Sequence, residues 1–298
     1  MNRAASWSVL AAATLLVSTA APFLKLAGMD AGAVVLWRMA LAAPLFLAWG
    51  AARGGAGLPR EHRARVALGG VLLAAHFLLW VKAFDLTSYA SNLLLLIAQP
   101  VMAVPLGARI GERPTRETWI AVALALVGLG VIATGDLDLG GRALRGDALC
   151  VLAGVAITLF YVVSRRARAE MPLGSFMGWT MIAGTAAALP AVAASGASVF
   201  AYPARSFGWL AALVLITTVG GHGLMNLAAR HLRLFTVNIA IVLEPAIAIA
   251  LGAWLLGEGV TLRQAAGGAV LAAAVAVALL PEWREAWGDS VEKGRVRT

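Results

Sequence analysis

Gln99-Pro100, then Leu106-Gly107-Ala108, then Gly111-Glu112 is a series that this chain writes twice, the second time as Glu244-Pro245, Leu251-Gly252-Ala253 and Gly257-Glu258. The copies stand 145 or 146 residues apart, about half of the 298-residue chain. Upstream of each, a histidine precedes an asparagine by 16 positions: His76 and Asn92, then His222 and Asn238. Small residues match by chance in Ala-rich segments. His, Asn, Pro and Gly-Glu in one order twice mark an internal repeat.

Hydropathy identifies the repeating unit. Hydrophobic residues make up 61% of the chain and charged ones 13%, and mean hydropathy is +0.84. A soluble domain carries about 25% charged residues, so half the charge that a watery surface needs is missing. The apolar runs repeatedly reach about 20 residues, the length of a membrane-crossing helix. They lack the alternation of barrel strands, which leaves helices as the way to satisfy the backbone in lipid. Ten spans are expected, near 6–26, 31–50, 66–84, 88–108, 117–134, 147–164, 173–194, 207–230, 236–256 and 262–280. The opening stretch, Arg3 then Val9–Val17 then Ser18-Thr19-Ala20-Ala21, has the layout of a cleaved signal peptide. The apolar run continues to Leu26, however, and reads as the first span.

The chain has net charge +9. Nucleic acid is not the expected partner, because the basic residues sit between apolar runs. Arg3, Arg53, Arg60, Arg63, Arg65, Arg109, Arg113, Arg116, Arg165, Arg166, Arg168, Arg230, Arg233, Arg284, Lys293, Arg295 and Arg297 fall on one side; Lys25, Lys82, Arg142, Arg145, Arg205 and Arg263 fall on the other. That asymmetry places both termini in the cytoplasm. Each copy holds five spans, and an odd number turns the second copy over in the membrane. The expected architecture is an all-α membrane protein of two inverted five-helix repeats, 1–140 and 141–281, followed by a cytoplasmic tail, 282–298. Inverted halves open one mid-membrane site to either side in turn.

Polar groups at bilayer depth are costly and face a cavity or another helix. Glu244 is the acidic residue near the middle of a span; it binds a substrate amine, carries a proton, or braces the kink at Pro245. Its counterpart in the first copy is the neutral Gln99. His76 and His222 titrate near neutral pH or bond between helices. Trp80 and Asn226 each follow a histidine by four positions and so share its face. Tyr89, Tyr161 and Trp179, with Trp80, can stack on an apolar substrate or belong to the interfacial aromatic belt. Asn92 and Asn238 line the site or hold helices together. Arg38 is a structural ion-pair or carbonyl partner, or a ligand for a substrate carboxylate. Pro100, Pro105 and Pro245 bend their helices, as hinges or as fixed kinks. Gly128, Gly130, Gly267 and Gly268 suit close packing of the fifth and tenth spans. Cys150 is the single cysteine. No nucleotide loop, dinucleotide fingerprint or metal-ligand spacing occurs, so no cofactor, no metal and no enzymatic activity are expected.

Pro22-Phe23 with Lys25, Trp37-Arg38, Ala83, Tyr89-Ala90-Ser91-Asn92, Pro100, Gly111-Glu112, Gly128 and Gly130, repeated in part as Glu244-Pro245, Gly257-Glu258 and Gly267-Gly268, resemble the EamA-type drug/metabolite transporter superfamily over nearly the whole chain. The resemblance implies ten helices, cytoplasmic termini and export of small metabolites; the expected location is the inner membrane, and the expected state a monomer or homodimer. The chain is most similar to the amino-acid exporters, including those for aromatic amino acids. A proton-coupled multidrug or nucleoside exporter is the alternative. Small multidrug antiporters of the superfamily carry a carboxylate in their first helix, which is absent here. Relatives that carry phosphorylated substrates use several buried basic residues, whereas only Arg38 here falls inside a span.

Overall fold

Long Ala, Leu and Val runs can satisfy their backbone without water only by coiling. The computed structural model is helical throughout the described residues, with no strand among them. Those residues are 3–87, 92, 95, 98–133, 140–196, 198–256 and 259–295. Eight helices among them are long and apolar enough to cross a membrane: α1 (Ala5–Ala27), α2 (Ala31–Ala52), α3 (Arg60–Ala83), α6 (Gly141–Val163), α7 (Leu173–Ser195), α8 (Ala204–Ala228), α9 (Leu234–Leu255) and α10 (Leu262–Pro281). Between α3 and α6 lie α4 (Ala98–Arg109) and α5 (Arg116–Ala133). The span expected to begin at Ser88 lies in part outside the described residues.

The connections sort into two groups. At one end, the Ser175 hydroxyl donates to Gly57 O, Trp179 Nε1 donates to Ala56 O at 2.8 Å, and Arg230 donates to Met171 O. Leu234 N donates to Glu112 Oε2 at 2.8 Å. These bonds gather the α2–α3, α4–α5, α6–α7 and α8–α9 connections. At the other end, Tyr202 donates to Asp30 Oδ2 at 2.5 Å and Trp37 Nε1 to Val199 O at 2.7 Å. There too Thr87 Oγ1 donates to Asp147 Oδ1 at 2.6 Å and Arg142 to Asp85 O at 2.7 Å, joining the end of α3 to the start of α6.

The most extensive helix contacts are α2 with α7, α5 with α10, and α3 with α6 and α7. Between α5 and α10 the backbones nearly touch. A Cβ at Gly267 would lie 2.6 Å from Gly128 O and 2.5 Å from Ile132 Cγ1, and one at Gly128 would lie 3.0 Å from Gly267 O. Gly130 faces open space, and Gly268 faces Ala246 of α9. Two of the four glycines expected at this seam therefore form it. Gly267→Val forces the helices apart and should cost about 1–3 kcal/mol. Gly130→Ala should be neutral or stabilising. Thermal unfolding of the two variants in detergent checks the contrast.

Three helices depart from regular geometry. The α1 span breaks after Val17 and restarts at Ala20. At the break, the Thr14, Ser18 and Thr19 hydroxyls bond back to Leu10, Thr14 and Leu16 carbonyls at 3.0, 2.7 and 2.6 Å, a competition that bends helices. In α8, Leu213–His222 is wound as a π-helix. In α9, a 3₁₀ turn at Ile241–Leu243 precedes Glu244, because Pro245 has no N–H to give the preceding turn. Gln99-Pro100 stands at the start of the described part of α4. Pro105 lies inside α4.

Candidate functional site

The three irregular stretches converge on one place. Thr19, at the break in α1, lies 2.6 Å hydroxyl to hydroxyl from Thr217 of the π-helical run. The next residue, Thr218, uses the wide turn to donate to Leu213 O at 3.1 Å and accepts from Arg38 Nε at 2.7 Å. Single π turns inside α-helices concentrate at functional sites, and this one presents a hydroxyl to a buried cation.

Arg38 is 0% exposed. Its guanidinium carbon lies 3.8 Å from the centroid of the Phe77 ring, a favourable cation–π placement. Nη1 and Nη2 are buried and have no hydrogen-bond acceptor. Arg38 lines a narrow cavity together with Val17, Ala20, His76, Phe77, Trp80, Gln99, Ile157, Tyr161, His222, Met225, Ile241 and Glu244. Glu244 is buried and lines the same cavity, and both terminal guanidinium nitrogens stay without an acceptor. One cavity thus offers two free N–H donors and one carboxylate within apolar and aromatic walls. Leaving such groups unpaired in a dry site is expensive.

The histidines complete the wall. His76 Nδ1 lies 2.9 Å from Ala153 O and its ring stacks on Trp80. His222 meets the Phe77 ring edge-on at 5.2 Å. Trp80 Nε1 is buried without a partner.

Further cavities lie on either side. Toward the Asp30–Tyr202 end, a wide space is bordered by Pro22, Lys25, Asp30, Val81, Phe84, Asp85, Tyr202, Ala248 and Gly252. Toward the Glu112 end, a much smaller one is bordered by Ile110, Glu112, Tyr161, Arg165, Arg168, Ala229, Leu232, Leu234 and Val237. The molecule is therefore wide at one end and narrow at the other.

Of the residues expected at the site, the structure brings His76, Trp80, Gln99, Tyr161, His222 and Glu244 around one cavity. Asn92 is buried and donates to Trp80 O at 3.4 Å; Asn226 donates to His222 O at 2.9 Å. Asn238 donates to Leu234 O at 2.7 Å and accepts from Thr158 at 3.4 Å, joining α9 to α6. None of these three asparagines lines the cavity. Trp179 anchors the α2–α3 connection through Ala56, away from it. Tyr89 lies outside the described residues. The Thr217-Thr218 pair is not singled out by the sequence, and Arg38, for which the sequence favours a structural role over that of a carboxylate ligand, lines the cavity. The sign available for Arg38 is its place well inside a span, whereas the other basic residues stand at or beyond span ends.

A family model described as EamA-like transporter family matches residues 4–134 and again 144–280. An uncharacterised transporter of Archaeoglobus fulgidus is 28% identical over 206 residues, which cover 69% of this chain and 71% of that protein. A solved crystal structure, titled only as that of a protein, superposes with a TM-score of 0.77 at 18% identity, over 95% of this chain and 99% of the other. This last likeness speaks for the fold alone.

Proposed function

Since the chain belongs to the EamA-like transporter family, and is thus a multi-pass membrane transporter of small molecules, we propose that it exports amino acids, aromatic and other apolar ones foremost, across the inner membrane. The observation that carries this is the pairing of Arg38 with Glu244 in one apolar cavity. The free Nη1 and Nη2 of Arg38 fit a carboxylate, which a guanidinium grips with two parallel bonds. Glu244 fits an ammonium group. Trp80, Phe77, Tyr161, Ile157 and Ile241 fit the side chain between them.

Ten spans in two inverted halves with cytoplasmic termini, and alternating access through the central cavity, belong to the same reading. The tandem family match supports two related halves. The sorting of the connections supports their inversion: the α1–α2 and α3–α4 connections lie at one end, while their counterparts after α6 and α8 lie at the other. The wide space beside Lys25 and Asp30 then faces outward, and the narrow one beside Glu112 faces the cytoplasm.

Efflux from proteoliposomes tests the proposal against a panel of amino acids, nucleosides and cationic dyes, with and without a pH gradient. L-phenylalanine flux is expected, with weak flux of phenethylamine and of 3-phenylpropionate, which lack one charged end each. A second reading, a proton-coupled multidrug or nucleoside exporter, draws on the burial of Glu244 in the same lining as two histidines. Dye or nucleoside flux without amino-acid flux, driven by the gradient and uncoupled from it by Glu244→Gln, selects that reading instead.

A further inference from the structure

Tyr161 borders two cavities at once, the central one that holds Arg38 and the inner one that holds Arg168. Arg168 sits in the α6–α7 connection and is 3% exposed. Its Nη2 donates to Tyr161 O at 3.1 Å, and its guanidinium carbon lies 5.4 Å from the Tyr161 ring centroid. Nε and Nη1 are buried and have no acceptor. Burial pushes its pKa down to about 10, against the pull of Tyr161, so the group stays charged at neutral pH. Glu112 borders the same cavity but accepts from Leu234 N, and its other oxygen lies 4.0 Å from Arg165. It is thus committed elsewhere and leaves Arg168 unneutralised. Leu232, Leu234 and Val237 make the remaining wall apolar. Nη1, beside the Nη2 already bonded to Tyr161 O, and Nε on the other edge each keep a free N–H; set among apolar side chains, this buried cation matches a carboxylate on an apolar body, held by a charge-assisted bond.

We infer that the inner cavity is a second binding site, in which Arg168 holds the carboxylate end of the transported molecule before it passes Tyr161 to reach Arg38. The inference rests on the amino-acid reading and extends it. The inner site requires a carboxylate alone, whereas the central site requires a carboxylate and an ammonium. Tyr161 is the partition between the two stations.

The test uses the full chain with Cys150→Ala and Leu232→Cys, reconstituted in phosphatidylcholine vesicles. Leu232 borders the inner cavity and is partly exposed, so a membrane-impermeant maleimide added at the cytoplasmic face reports occupancy. L-phenylalanine and 3-phenylpropionate should each slow labelling about fivefold at concentrations several times their Kd. Phenethylamine and inorganic phosphate should leave the rate unchanged. Arg168→Met should remove the protection, and Arg168→Lys should retain part of it. Three results overturn the inference without recourse to either variant: no protection by 3-phenylpropionate, equal protection by phenethylamine, or equal protection by phosphate. Loss of carboxylate protection when phosphatidylglycerol is added assigns the cavity to a lipid headgroup and also overturns it. Protection without L-phenylalanine flux keeps the inner site and removes the amino-acid reading. Flux without protection does the reverse.

Discussion

Arg38→Met should abolish amino-acid flux, lowering it by about 30-fold or more, while Arg38→Lys retains a measurable fraction. Truncating one partner of a buried, hydrogen-bonded charge pair costs about 2–5 kcal/mol, and each ~1.4 kcal/mol is a factor of ten. Lysine restores the charge but not the fork that grips a carboxylate with two bonds. The same substitution should destabilise the protein, since it removes the cation seated over Phe77 and bonded to Thr218 and leaves Glu244 in a cavity lined by no cation. Binding and folding effects separate in the double variant Arg38→Met/Glu244→Gln. Removing both charges should recover much of the thermal stability lost by the single variant, because the buried unpaired charge is gone. It should recover none of the L-phenylalanine flux. Arg38→Met protein that remains folded and carries L-phenylalanine within about threefold of the parent, a loss below ~0.7 kcal/mol, would sink the zwitterion reading.

Glu112→Ala should open the end of the molecule at which Glu112 meets α9. Gly111, at φ +89°, supplies the left-handed turn that only glycine adopts cheaply, and that turn aims the Glu112 carboxylate at the first N–H groups of α9. The bond is a helix cap supplied by the other half of the sequence. A cap of this kind is worth about 0.5–2 kcal/mol, and a carboxylate at a helix N-terminus adds to it. Removing the cap should therefore raise the open population by roughly fivefold, the factor for about 1 kcal/mol. The rate at which a thiol reagent reaches Val237→Cys, a buried position bordering the inner cavity, measures that population. The sign of the pH effect follows from burial, which holds the Glu112 carboxyl above its ordinary value more strongly than the Leu234 N–H and Arg165 lower it. Opening exposes the carboxyl to water and returns it toward that ordinary value. Protons thus bind the closed form more tightly. Labelling of Val237→Cys should accelerate as pH rises through the window between the two values, and Glu112→Gln should flatten the profile. A profile that is unchanged by Glu112→Gln would remove Glu112 from the closure.

Much of the architecture is readable from hydropathy, because lipid allows a backbone few options. The eight apolar helices fall where the long apolar runs fall, and the 3₁₀ turn before Pro245 falls where the proline does. Pro44 and Pro190, 146 residues apart and each inside its helix, belong to the repeat as well, although isolated prolines are easily passed over. Side-chain direction is less legible. These helices are apolar on every face, so periodicity does not tell the cavity side from the neighbour side. That is why His76 and Trp80 reach the cavity together while Asn226, on the histidine face of the second copy, bonds back to its own helix. Trp179 shows the same limit: nothing local reveals that Ala56 waits for its indole. Arg38 could not be assigned from sequence because Phe77, Thr218 and Glu244, which define its surroundings, are 39 or more positions away. The π-helical run has no distinctive composition; its β-branched and glycine residues, Ile216 to Gly221, would suit an ordinary span equally well.

The surplus winding in α8 has a mechanical consequence. Leu213–His222 closes its backbone bonds over five residues instead of four, so it holds more chain in each coil than the segments that flank it. Expelling one residue from that coil would screw everything beyond it by about 100° and slide it by about 1.5 Å, with no bond of the flanking segments broken. His222 and Met225, which stand on the cavity wall at and just past the end of the coil, would be carried off the wall in that single motion, while Thr217, held by Thr19, stays behind as the pivot.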